Sequence, residues 1–237
     1  MGVQPLGDLV ALIEQTTGAD VAVVEADGDE HGLAMKDSNT GAVFVAVAKT
    51  RHPMRQRSTL AHELGHLVFG NWDPKEVLSS RSPAEIRANA FARHLLVPKE
   101  GLHAFLGDRR PATEAELSDV VQHFVVSPGM AAIAMRDSGY VDEGTRQDWV
   151  HITTPQLATR FGWSDFYKSL QADSDRPRAP QKLLARAIEG YSLGVVSAQM
   201  IATIRSVGEE TVVGDLGGAG ICPTLAEPVH AAAPQGG

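Results

Sequence analysis

The 237 residues carry 29 acidic against 21 basic side chains, a formal net charge of −8, which argues against a protein whose main affinity is for nucleic acid. A single cysteine, Cys222, excludes a disulfide scaffold and a thiolate-built metal site and fits a reducing compartment. Met1 to Gly18 lacks the basic start of a signal peptide, and no apolar run reaches the ~18 residues of a membrane span, so the expected location is cytoplasmic.

In chain order, Leu6 to Thr17 reads as an amphipathic helix through Leu9, Val10, Leu12 and Ile13, ended near Gly18. Val21 to Glu25 reads as a strand. The acidic turn Asp27-Gly28-Asp29-Glu30 leads to a second strand at Gly32 to Met35, and Asn39-Thr40-Gly41 to a third at Ala42 to Val47, giving a small sheet meander. The turn lacks the ligand spacing of a calcium loop and reads as a solvated hairpin tip. Arg51-His52-Pro53 then breaks the chain, and His52 reads as a loop residue. Lys49, Arg51, Arg55 and Arg57 read as a solvated helix start, with contact to an acidic substrate segment as the alternative.

The next stretch contains His62-Glu63-x-x-His66. On a helix turning ~100° per residue, His62 and His66 lie one turn apart on nearly the same face and can reach one metal ion. Glu63 lies beside them without taking a coordination position, as a general base for water would. Leu60, Leu64, Leu67 and Val68 recur on the opposite side, which makes the helix a packed one.

A catalytic zinc site needs a third protein ligand and leaves one position open. A metzincin would have Gly where Phe69 stands and His where Trp72 stands, and Cys222 lies far downstream, so a carboxylate on a second helix remains. Glu85 is the best candidate. Ser82 can cap that helix, Pro83 suits its first turn, and the small Ala88, Asn89 and Ala92 share the Glu85 face and permit close helix approach. Asp73 and Glu76 flank Pro74 in a short loop, and Glu100 follows Pro98, so all three are weaker candidates. Asn89 is a candidate for holding a ligand from behind; His94, about half a turn round from Glu85, reads as a surface or core histidine.

Arg57-Ser58-Thr59-Leu60-Ala61-His62-Glu63-Leu64-Gly65-His66, followed by Glu85-x-x-Ala88-Asn89-x-Phe91-Ala92-x-x-Leu95-Leu96-Val97-Pro98, resembles the ImmA/IrrE family of bacterial and phage zinc metallopeptidases. The resemblance implies that His62, His66 and Glu85 are zinc ligands and Glu63 the catalytic base. It departs at Ser58, where the family more often has Phe, and at Val97, where it often has Met; neither position is chemical. It also implies a substrate class, since family members cleave helix-turn-helix repressors to release stress, prophage or mobile-element genes.

Beyond Pro98, Glu114 to Phe124 and Pro128 to Asp137 read as a helix pair spaced like a helix-turn-helix. Its second helix offers Met130, Ile133, Met135 and a single Arg136, too few polar readers for bases, so a structural or docking role is favoured over DNA binding. His151 to Leu170 reads as a further pair around Gly162-Trp163, Asp173 to Pro180 as a linker, and Leu183 to Tyr191 and Ser197 to Ile204 as two more helices. From Gly217 onward Gly, Ala and Pro dominate, the composition of a disordered tail.

The expected fold is therefore α+β. A zincin-like peptidase core at 1–100 is followed by a helix-turn-helix-like module at 101–150, a helical region at 151–216 and the tail at 217–237. The expected chemistry is zinc-dependent endopeptidase cleavage, with manganese or iron able to take the same ligands. The alternative is a non-catalytic, metal-stabilised regulator that binds a repressor, toxin or DNA. His103, His123 and Tyr140 are candidate oxyanion donors without a spacing argument behind them.

Overall fold

The computed structural model of the chain describes residues 3–26, 32–71 and 82–224. The acidic turn at Asp27–Glu30 and the competing carboxylates Asp73 and Glu76 lie outside the described residues. Helix α1 spans Leu9–Thr17; it starts later than its apolar spacing suggests because Asp8 caps it, accepting from the Ala11 N–H at 3.2 Å. Gly18, at φ 76°, ends it in the left-handed conformation that a residue without a β-carbon adopts freely.

Strands β1 (Asp20–Val24), β2 (Gly32–Lys36) and β3 (Val43–Ala48) form one sheet in the order β1-β3-β2. The expected meander is corrected here: β1 runs parallel to β3, and only β2 is antiparallel to it. Side-chain burial distinguishes the two outer strands. Val45 and Val47 of β3 and Val21 and Val23 of β1 are buried opposite one another, whereas Leu33 and Met35 of β2 are more than half exposed. β3 lies between the other two, so β1 and β2 are both edge strands, and β2 is the more exposed of them.

Helix α2 (Pro53–Phe69) carries the motif, and α3 (Pro83–Leu96) packs along it. Leu60 and Leu64 are buried as their spacing predicts, but Val68, expected on the same face, is exposed. Pro98 does not close the helical region. It precedes a further helix, α4 (Lys99–Leu106), whose Leu102 and Leu106 enter the core. The predicted pair follows as α5 (Glu114–Phe124) and α6 (Pro128–Asp137), then a short α7 (Glu143–Asp148) that the sequence reading missed, a 3-10 turn at Trp149–His151, α8 (Thr154–Arg160) and α9 (Ser164–Ser174).

Chain contacts divide the molecule into two compact units, Met1–Pro177 and Arg178–Gly237. Within the first, one hydrophobic core runs from Leu9 to Tyr167 and crosses residues 100 and 150 without interruption. Arg57 helps to join its parts: the guanidinium donates to the carbonyls of Leu6 and Gly7, at 2.7 Å each, and to that of Val125 at 3.2 Å. Burial lowers its pKa to about 10. Lys49 pairs with Glu25 at 3.0 Å, so the basic residues ahead of the motif are not one solvated cluster.

In the second unit, α10 (Gln181–Ser192), α11 (Ala198–Arg205) and α12 (Glu209–Gly218) enclose a small core of Ala187, Ala198, Ile201, Ala202, Val212 and Leu216. The expected tail begins later than its composition suggests. Helix α12 includes Gly217 and Gly218, Ile221 packs on this core, and the Thr224 N–H donates to the Ser192 carbonyl at 2.9 Å. Residues 225–237 lie outside the described residues. Among the described residues, no helix is long and apolar enough to cross a membrane.

Candidate metal centre

Helix α2 presents His62 and His66 one turn apart, and the start of α3 brings Glu85 to them. The Ser82 hydroxyl accepts the Glu85 N–H at 3.2 Å and Pro83 begins the first turn, so the carboxylate sits at the helix end that favours negative charge. Close helix contact makes the reach possible. A β-carbon on Gly65 would lie 3.1 Å from Ala88 Cα and 3.2 Å from Phe91 Cδ1, so the two backbones meet where only small residues stand. Beyond this contact, Phe69 and Phe91 pack edge to face at 5.7 Å.

Three donor groups converge. Glu85 Oε2 lies 3.1 Å from His62 Nε2, Glu85 Oε1 lies 3.1 Å from His66 Nε2, and the two Nε2 atoms are 3.0 Å apart. Ligands ~2.0–2.1 Å from a tetrahedral zinc ion would stand about 3.3 Å from one another, so these atoms need to separate by only a few tenths of an ångström to hold such an ion. His62 Nδ1 lies 3.1 Å from Asn89 Oδ1, which can only accept, so that nitrogen carries the proton and Nε2 keeps its lone pair toward the centre. Burial and the neighbouring His62 hold His66 below the ordinary imidazole value despite Glu85, which favours the neutral ring that a metal needs. The donor set fits a divalent cation.

Glu63 turns toward β2. Its carboxylate is buried, accepts a backbone N–H from Ala34, and has its pKa raised to about 7 by desolvation first and by the Glu85 charge second. The edge strand stands close enough that Gly32 is required: a β-carbon there would lie 2.4 Å from Thr59 Cγ2 and 2.8 Å from Glu63 Oε1. Between β2 and the two helices opens a cleft of about 290 Å³, lined by Gly32, Leu33, Ala34, Asn71 and the four motif side chains His62, Glu63, His66 and Glu85.

The structure thus brings together all five residues singled out from sequence, namely His62, Glu63, His66, Glu85 and Asn89. His94 and Glu100 are exposed. His52 is exposed too, at the start of α2. The oxyanion candidates are not in the cleft. His103 Nδ1 bonds the Tyr140 hydroxyl at 2.8 Å, that hydroxyl donates to the Gly107 carbonyl at 2.9 Å, and His123 stacks on Phe105 at 4.0 Å. Sequence reading missed Asn71, Gly32 and Ala34. The signal available for Asn71 was its place just after Gly70, the glycine that ends the motif helix.

A helix pair carrying two histidines and a carboxylate, set against a small sheet with a buried glutamate between, defines a metallopeptidase-like domain of zincin type. Residues 17–136 match the peptidase M78 family, described as the IrrE N-terminal-like domain, and the chain belongs to that ImmA/IrrE family. No curated protein matches it.

Proposed function

We propose that this chain is a zinc-dependent endopeptidase of gluzincin type, acting in the cytoplasm on a helix-turn-helix transcriptional repressor. The observation that carries the proposal is the convergence of Glu85 on His62 and His66 beside a buried Glu63. His62, His66 and Glu85 would hold the ion, and Asn89 would steady His62. Zinc bound there supplies Lewis acidity, polarising a scissile carbonyl and making water easier to deprotonate. Glu63, held near neutrality, takes the proton from water and returns it to the leaving amine. A base in this position has no use in a purely structural site, which favours hydrolysis over the non-catalytic regulator.

Direct DNA binding is disfavoured. Half of the residues of helix α6 are buried, and Arg136, its one basic residue, is held by Asp137 and Glu143 at 2.6 and 2.7 Å. The repressor as substrate rests on family membership. The test is incubation of the zinc-loaded protein, and of its Glu63→Gln variant, with helix-turn-helix repressors from the same genome. Cleavage by the first and none by the second, with equal zinc in both, is the expected result. A regulator would leave the repressor intact and bind it equally well in both forms.

A further inference from the structure

Asn71 follows the end of the motif helix, and the backbone there fixes its place. The Gly70 N–H bonds the Leu67 carbonyl at 3.2 Å and the Asn71 N–H bonds the His66 carbonyl at 3.0 Å, the paired closure in which a left-handed glycine ends a helix. The side chain that emerges lines the same cleft as His66, Glu63 and β2. Its Nδ2 is buried and has no hydrogen-bond partner among the described residues. A buried N–H donor left unpaired is destabilising, and one that lines a cleft is placed to be paired by a molecule bound there. The Glu63 and Glu85 carboxylates line the cleft as well, yet neither is bonded to Nδ2.

A peptide lying in the cleft along β2 would bring the acceptor that is missing. Its main chain presents carbonyl oxygens at regular intervals whatever its sequence. We infer that Asn71 Nδ2 donates a hydrogen bond to a main-chain carbonyl oxygen of the substrate in the cleft, which makes Asn71 a substrate-contacting residue. This rests on the peptidase reading above. The competing role is local. His66 Nδ1 is also buried without a partner among the described residues, and an amide that merely steadied that ring would act on metal retention instead of on substrate.

Asn71→Ala and the isosteric Asn71→Asp, made in the zinc-loaded full chain, separate the two. The probe is a quenched fluorescent peptide that the wild-type protein cleaves from a random-sequence pool. The expected result is a loss of at least about tenfold in kcat/KM for Asn71→Ala. Asn71→Asp should lose more, because a carboxylate oxygen then faces the carbonyl oxygen. Zinc content and melting temperature stay at wild-type values in at least the isosteric variant, and in a Glu63→Gln background adding Asn71→Ala weakens binding of the intact peptide. Values of kcat/KM within about twofold of wild type in both variants would overturn the inference, as would a loss that follows lost zinc. If the wild-type protein cleaves neither the pool nor a helix-turn-helix repressor, the peptidase reading itself fails and takes the inference with it, a result distinct from active variants.

Discussion

Gly32 on the edge strand and Glu63 on the motif helix stand so close that no β-carbon fits between them, since one on Gly32 would lie 2.8 Å from Glu63 Oε1. Gly32→Ala must therefore move the strand or the side chains of Thr59 and Glu63. Displacing a catalytic group by a fraction of an ångström to 1 Å costs about ten- to a hundredfold in rate. The expected outcome is that loss in kcat/KM with zinc content unchanged, because the cluster of His62, His66 and Glu85 does not include Gly32. Metal analysis beside peptide kinetics checks it.

As the proposed general base, Glu63 would set a pH dependence. Its carboxyl titrates at about 7 because burial and the Glu85 charge both disfavour ionisation. A general base works only when ionised, so kcat/KM rises as pH rises through this range and falls about tenfold per unit below it. A bound cation pulls the value down, which places the acid limb at or below about 7. Profiles from about pH 5 to 9 measure this. Glu63→Gln should abolish turnover and retain zinc.

Gly65 controls how near α3 comes. Gly65→Val puts methyl groups where the first added atom would already be 3.1 Å from Ala88 Cα, forcing the helices apart and carrying Glu85 away from the histidines. Overpacking of this kind destabilises by about 1–3 kcal/mol. Thermal melts with and without zinc should show a lower melting temperature and a smaller zinc-dependent rise.

Asn89 stands behind His62 and, on the proposed reading, would steady that ring on the metal. Asn89→Leu removes the acceptor 3.1 Å from His62 Nδ1 and should weaken zinc binding about ten- to a hundredfold. Competition with a chelator measures the affinity, and the acid limb assigned to Glu63 should stay where it is. Removing zinc from the wild-type protein should likewise lower its melting temperature, because a ligand that binds only the folded state stabilises it by mass action.

The centre was largely legible in the sequence because helical spacing turns residue number into direction. His62, Glu63 and His66 declare their geometry within one turn, and Ser82-Pro83 announces the helix that carries Glu85. The sheet was not legible in the same way. Alternation finds β1 and β3, but strand order and direction depend on contacts between distant segments, such as the pairing of Val21 with Val45. Helix α4 was hidden because Pro98, a common stop signal, also suits the residue before a helix start. Asn71 was silent for another reason: an amide after a C-terminal glycine is ordinary, and only the cleft around it gives it meaning.

The bonds of Arg57 bear on how the protein can be taken apart. One side chain on the motif helix grips the strand of chain before α1 and the bend between α5 and α6. Gln56 beside it donates to the carbonyls of Ala48 and Ser174, at 3.0 and 2.9 Å. A fragment cut at residue 100 would leave amide and guanidinium hydrogens stranded on the very helix that bears the histidines. Dissection that preserves the centre has to keep Leu6 through Ser174 in one piece.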